Sequence, residues 1–188
     1  IGLIESEKIG LPHWIPFAEV RAKMAQSVQR RFQRWLENER IEVNSLYGPL
    51  LQNALSEWGM TTLYLAFDTS MLWNKYCIMR LSIVYRGRAI PLIWKVIEHG
   101  SSSVALSEYK ELLATAAQLL PMYVSGRIIF LADRGFADTE LMRYLKEKLH
   151  WHWRIRIKSS FKVYRPKHQG CQISRYAPKA GEAIFWHS

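Results

Sequence analysis

Aspartate is rare in this chain, which carries only Asp68, Asp133 and Asp138 among its 188 residues. Cysteine is rarer still. Cys77 and Cys171 stand far apart, in neither a Cys-x-x-Cys nor a zinc-site spacing, and they read as two reduced thiols of a cytosolic protein. His150 and His152 form a lone His-x-His with no further ligand beside it, a pattern that fits a strand better than a metal site. No apolar run reaches the roughly 20 residues of a bilayer span, and the N-terminus lacks the marks of a signal peptide. Repeats and low-complexity tracts are missing too, which sets aside repeat architectures.

What the chain does have is apolar mass and positive charge. Hydrophobic residues make up 49% of it and aromatics 13%, enough to bury a core and unlike a disordered composition. Its length fits one ordinary domain with room for a small appendage. Lys and Arg number 26 against 16 Asp and Glu, a formal charge of +10. A globular chain this basic meets a polyanion, and without a membrane signal the expected partner is nucleic acid. The competing reading is a basic protein that is merely soluble. The chain opens on Ile1 and ends on a strand-like run at 184–188, which predicts an excerpt of a longer protein.

Val20, Met24, Val28, Phe32 and Trp35 recur at helical spacing and predict a helix over 18–39. Arg21, Lys23, Arg30, Arg31 and Arg34 fill much of its remaining surface. Asn44 is the expected cap of a second helix whose regular part begins at Pro49. Leu50, Leu51, Ala54, Leu55 and Trp58 supply its apolar face, and Gly59 ends it. From residue 61 the pattern turns to strands, over 61–67, 77–85 and 89–96, with Arg86-Gly87-Arg88 as a hairpin turn. A helix follows over 104–120, with Ser101, Ser102 and Ser103 as caps and Pro121 at its end. Residues 127–132 form a fourth strand, and Asp138 caps a helix running to about Leu149. Residues 151–158 alternate, with Trp151, Trp153, Ile155 and Ile157 on one face and His152, Arg154, Arg156 and Lys158 on the other. Short β-like pieces follow around Gly170 and Gly181. Trp73 and Trp94 read as core residues, and Glu98 and His99 as the end of the third strand.

The order β-β-β-α-β-α-β predicts an α/β fold: an RNase H-like mixed sheet flanked by helices, with the first and fourth strands adjacent and parallel. The chain divides on this reading into an N-terminal helical region (1–60), an incomplete RNase H-like core (61–158) and the beginning of a β-rich insertion (159–188). Asp68 and Asp133 each follow an apolar strand directly, at the rim where ligands tend to bind. Two facing carboxylates repel unless a cation or proton lies between them. Magnesium or manganese suits such all-oxygen ligands and activates water or hydroxyl for phosphodiester chemistry. Each aspartate also fits a simple capping role in the turn that follows it, and the pattern alone leaves both readings open.

Three blocks in order resemble the catalytic core of bacterial insertion-sequence transposases, the insertion-sequence-four family in particular. They are Leu65-Ala66-Phe67-Asp68-Thr69-Ser70, Tyr85-Arg86-Gly87-Arg88-Ala89-Ile90-Pro91-Leu92 and Leu131-Ala132-Asp133-Arg134-Gly135-Phe136. The resemblance runs through most of the chain. It implies a DDE enzyme that cuts and rejoins DNA in cut-and-paste transposition, with two Mg2+ or Mn2+ ions held by catalytic Asp68 and Asp133. It implies double-stranded DNA as partner, both transposon ends and target, in a prokaryotic, nucleoid-associated setting, with a homodimer in the DNA complex compatible with it. It also implies that the N-terminal arginines Arg21, Arg30, Arg31 and Arg34 contact DNA, and Arg134, by its place beside the second aspartate, is a further candidate phosphate contact. An exposed helix face or turn accounts for the same arginines. The basic face of 151–158 reads chiefly as protection of an edge strand. The family's third acid, a glutamate in a Tyr-Arg-Glu-Lys helix, has no counterpart here. Glu182, the only acid after Glu147, reads as a surface residue of the insertion, so this chain alone is expected to cleave weakly. Alternatives are an RNase H-like metal-dependent nuclease and a catalytically inactive DNA-binding transposase remnant.

Overall fold

The computed structural model describes residues 2–19, 24–58, 61–120, 126–164 and 170–182. Val20, Arg21, Lys23, Gly59, Pro121 and the strand-like run 184–188 lie outside them. The chain forms two compact units, Ile1–Pro49 and Leu50–Ser188. Among the described residues no helix is long and apolar enough to cross a membrane.

The first unit holds a short helix α1 (Gly2–Ser6), a 3-10 segment (Leu11–Phe17), helix α2 (Ala25–Leu36) and the first half of α3 (Val43–Ser56). The helix expected from residue 18 starts only at Ala25. Pro16 lies within the 3-10 segment, and the chain leaves that segment extended, with Ala18 at φ −97 and ψ 118. Met24 is extended as well, so neither residue is helical. The apolar stripe of α2 is narrower than its spacing predicts. Val28 is buried and Phe32 meets Trp14 edge-on at 5.8 Å, whereas Met24 and Trp35 are exposed. Arg30, Arg31 and Arg34 are exposed on the same helix.

Helix α3 begins at Val43, so Asn44 sits in its first turn instead of capping it, and Pro49 is interior. Ser45 donates both its N–H and its hydroxyl to the Glu42 carbonyl, at 3.1 and 2.8 Å, which closes the turn ahead of Asn44. In its second half Leu51 and Leu55 are buried while Leu50 and Ala54 are exposed. Trp58, just past the helix, stacks on Tyr85 at 4.3 Å.

The second unit is built on five strands: β1 (Thr62–Leu72), β2 (Tyr76–Tyr85), β3 (Arg88–Glu98), β4 (Arg127–Ala132) and β5 (His152–Ile155), in the order β3-β2-β1-β4-β5. The first three pair antiparallel; β4 runs parallel to both β1 and β5. This is the mixed sheet, flanked by helices, that the element order predicts for an RNase H-like α/β fold. Arg86 and Gly87 both take left-handed φ, 47 and 75, the geometry of a two-residue turn whose twist matches its strands. Trp73 and Asn74 do the same at the tip of the β1–β2 hairpin. Trp73 is therefore 80% exposed, and Trp94 on edge strand β3 is 40% exposed. Neither is the core residue its size suggests. Pro91 also lies on that edge strand, at a bulge opposite Leu81 and Ser82, where a missing N–H is tolerated.

Leu63, Leu65 and Phe67 alternate into the core from β1. Helix α4 (Leu106–Leu119) covers that face with Tyr109, Leu112, Leu113 and Ala116, and α5 (Thr139–Glu147) adds Leu141 and Leu145. Ala105 occupies the cap position of α4, so Ser101, Ser102 and Ser103 are not its caps. Asp138 does cap α5, accepting from Glu140 and Leu141 N–H at 2.6 and 3.2 Å. Strand β5 spans four residues where the alternation covers eight, because β4 stops at Ala132. The last rung is Arg156 N–H to the Ala132 carbonyl at 3.2 Å. Trp153 and Ile157 are consequently each 38% exposed. A two-stranded sheet of β6 (Lys162–Val163) and β7 (Cys171–Gln172) follows.

Candidate active site

The parallel ladder between β1 and β4 ends at Ala66 opposite Leu131. Two residues further along each strand stand Asp68 and Asp133, so continued register sets them side by side. Strand β4 has ended there, but β1 has not. Asp68 lies inside β1, paired with Arg80 of β2, and not at the strand's end as the apolar run suggests. The sheet rim is thus formed by the end of β4 against the flank of β1. Both carboxylates line one cavity of about 200 Å³ at this rim, with Thr69, Ser102, Ser103, Val104, Gly135 and Phe136. Both aspartates are exposed.

The second aspartate is held by its own turn. Its Oδ1 accepts the Gly135 N–H at 2.8 Å, across the 3-10 turn Arg134–Phe136. A Cβ on Gly135 would stand 3.0 Å from that same oxygen, so the turn is tight because glycine is there. One oxygen of Asp133 is engaged by the turn, and the residue still lines the cavity. The Asp68 carboxylate accepts no hydrogen bond from the described residues.

An aromatic cluster ties the middle of β1 to the turn that follows β4. Phe67 precedes Asp68, and Phe136 follows Asp133 by three residues. Their rings meet edge-on at 4.9 Å, with Tyr109 of α4 at 4.9 Å from Phe67 and 5.9 Å from Phe136. Burial, with Asp138 and Glu140 nearby, pushes the Tyr109 hydroxyl up to about 12. A third support is the loop ahead of α4. Thr69 Oγ1 donates to the Ser102 carbonyl at 2.9 Å, drawing Ser102 and Ser103 over the cavity. Ser103 N–H bonds Ser101 Oγ, and Ser101 N–H lies 3.2 Å from His99 Nδ1. Sequence patterning assigned these serines to caps. Thr69 in the Asp-Thr-Ser box was the available clue, since a β-strand threonine beside the first aspartate can reach a passing loop.

Other candidates fall elsewhere. Arg134 is exposed beside Asp133 but does not line the cavity. Arg30, Arg31 and Arg34 belong to the first unit. Glu98 pairs with Lys75 at 3.5 Å, both well exposed, consistent with a strand end. Glu182 is exposed, outside any helix, its N–H bonded to the Lys179 carbonyl. Among the described residues no group of three or more His, Cys, Asp and Glu side chains is assembled as a metal cage. The cavity is lined by two carboxylate residues, hard oxygen donors whose chemistry would suit a divalent ion of the magnesium class better than a soft one.

A sheet in this order, with two aspartates at the switch between its parallel and antiparallel halves, defines an RNase H-like domain with an acidic rim. The chain belongs to the family described as transposase DDE domain, whose sequence model matches residues 73–183, more than half of its length. Asp133 lies inside the matched span and Asp68 five residues before it. No curated protein and no solved structure matches the chain.

Proposed function

We propose that the cavity shared by Asp68 and Asp133 is the catalytic centre of a cut-and-paste DNA transposase of the bacterial insertion-sequence-four type. The observation that supports this most is that Asp68 and Asp133, each two residues past the last rung shared by neighbouring parallel strands, line one cavity. The chain's net charge of +10 supports a DNA partner. Asp68 and Asp133 would hold Mg2+ or Mn2+, which when bound polarises a phosphodiester oxygen and readies a water or hydroxyl for attack. Asp68 contributes from a rigid ladder. Asp133 contributes an oxygen while the Gly135 N–H fixes its other one. The Phe67–Phe136 contact keeps the spacing between them, and the Ser102–Ser103 loop narrows the cavity from above. Arg134 and the α2 arginines Arg30, Arg31 and Arg34 are the proposed phosphate contacts.

Metal binding provides a test that does not need turnover. Titration with Mn2+, followed by loss of the free-ion resonance signal, should show binding by the unaltered chain. Asp68→Asn and Asp133→Asn should each weaken it at least about tenfold, as loss of one charged ligand from a two-carboxylate site implies. Unchanged affinity in both variants would sink the assignment. The two-carboxylate cavity also favours weak cleavage by this chain alone.

A further inference from the structure

We infer that Arg80 is a phosphate-holding residue that positions the DNA strand beside Asp68. This rests on the reading of that rim as the place where DNA is cut. Strand β2 reads Tyr76-Cys77-Ile78-Met79-Arg80-Leu81-Ser82-Ile83-Val84-Tyr85, and Arg80 is its only charged residue. Its neighbours Met79 and Leu81 are fully buried, whereas Arg80 is exposed, so its side chain leaves the sheet on the face opposite the helical core. Lys95, on the other face, donates to the Glu108 carbonyl of α4, which fixes which face the helix covers.

Register places Arg80 directly across from Asp68 on one side and Trp94 on the other. Neighbouring strands lie about 4.8 Å apart. An arginine and an aspartate directly opposed on one face ordinarily form a cross-strand ion pair. Here they do not: the Arg80 guanidinium makes no ion pair or hydrogen bond with the described residues. A guanidinium with no partner among the described residues, one strand from the first carboxylate, is placed to grip a backbone phosphate next to the one being attacked. Its planar fork suits phosphate oxygens, which accept two parallel N–H donors. It also offsets the repulsion that a bare carboxylate exerts on a polyanion. Arg80 is a positioning residue on this account, not one that touches the reacting bond.

Salt dependence reads this role directly, because each neutralised phosphate adds about 0.9 to the slope of log affinity against log salt. The full chain, a duplex DNA probe of generic sequence and EDTA throughout keep metal and chemistry out of the measurement. Arg80→Ala should bind several-fold more weakly at moderate salt and lose about 0.9 from the slope. Arg80→Lys, which keeps the cation, should retain the slope, and unfolding curves for both should match the parent. An unchanged slope in Arg80→Ala, or an equal loss in Arg80→Lys, would overturn the inference. Since no metal is present, failure of the Mn2+ test at Asp68 and Asp133 leaves this result standing, and the reverse holds equally.

Discussion

At the scale of single residues, the site depends on small groups placed beside larger ones. Gly135 is the sharpest case. Its N–H reaches Asp133 Oδ1 at 2.8 Å, and a Cβ would crowd that oxygen at 3.0 Å. Gly135→Ala should leave the fold standing but turn the carboxylate, weakening Mn2+ binding by a factor approaching that of Asp133→Asn; equal binding by Gly135→Ala and the parent would show that the turn does not orient the ligand. Tyr109 provides a prediction with a sign. Its hydroxyl is raised from 10.0 to about 12, so between those values the unfolded chain loses a proton that the folded chain keeps. Stability attributable to Tyr109 is thus intact below pH 10 and declines as pH rises toward 12, at a slope approaching about 1.4 kcal/mol per pH unit. Denaturant unfolding at pH 9 and 11 should show this loss in the parent chain and a smaller one in Tyr109→Phe.

At the scale of elements, much was legible and the exceptions share a cause. The apolar runs ending near Asp68 and Asp133, the Arg86-Gly87 turn and the Asp138 cap are written in local chemistry, and each stands where local chemistry puts it. Strand length was not legible, because it depends on the partner. β1 continues past Asp68 because β2 continues beside it, and β5 stops early because β4 offers no more backbone. The role of the serines was hidden for a similar reason. Only the fold brings Thr69 to the Ser102 carbonyl, across 33 residues of chain. Trp73 and Trp94 misled through size: bulk argues for the core, but a hairpin tip and an edge strand leave them exposed. A close approach that no pattern reveals is at Gly126, where a Cβ would collide with the backbone of Thr61 as Arg127 N–H bonds the Thr61 carbonyl at 2.9 Å. Gly126→Ala must therefore shift the start of β4 against β1. A loss of roughly 2 kcal/mol or more is expected from a backbone clash of this kind. Calorimetry or denaturant titration would measure it, and a change within about 0.5 kcal/mol would mean the strands yield without strain.

At the scale of the whole molecule, the excess of Lys and Arg over Asp and Glu is the dominant property. Duplex DNA should bind without sequence preference at low salt and release steeply as salt rises, through counterion release. Affinity indifferent to salt, or none at low salt, would remove DNA as the partner. Cleavage by this chain in Mg2+ or Mn2+ should be weak or absent, since the described residues bring two acids to the cavity. A robust rate that Glu182→Gln abolishes would instead make Glu182 the missing ligand.

The unequal anchoring of the two aspartates has a mechanical outcome. Asp68 is fastened within a ladder that runs on to Leu72, while Asp133 stands at a free strand end on a three-residue turn. Asp68 is held by a continuous ladder on one side, whereas Asp133 is held by a single turn hydrogen bond, so the pair is expected to act as a vice whose second jaw yields first. On the proposed reading of this cavity, adjustment to a substrate of varying width would fall chiefly on the second jaw. Amide exchange should report it: slow along residues 65–71 and faster at Gly135, whose N–H is protected by one exposed side-chain bond alone, with the difference expected to shrink if Mn2+ binds.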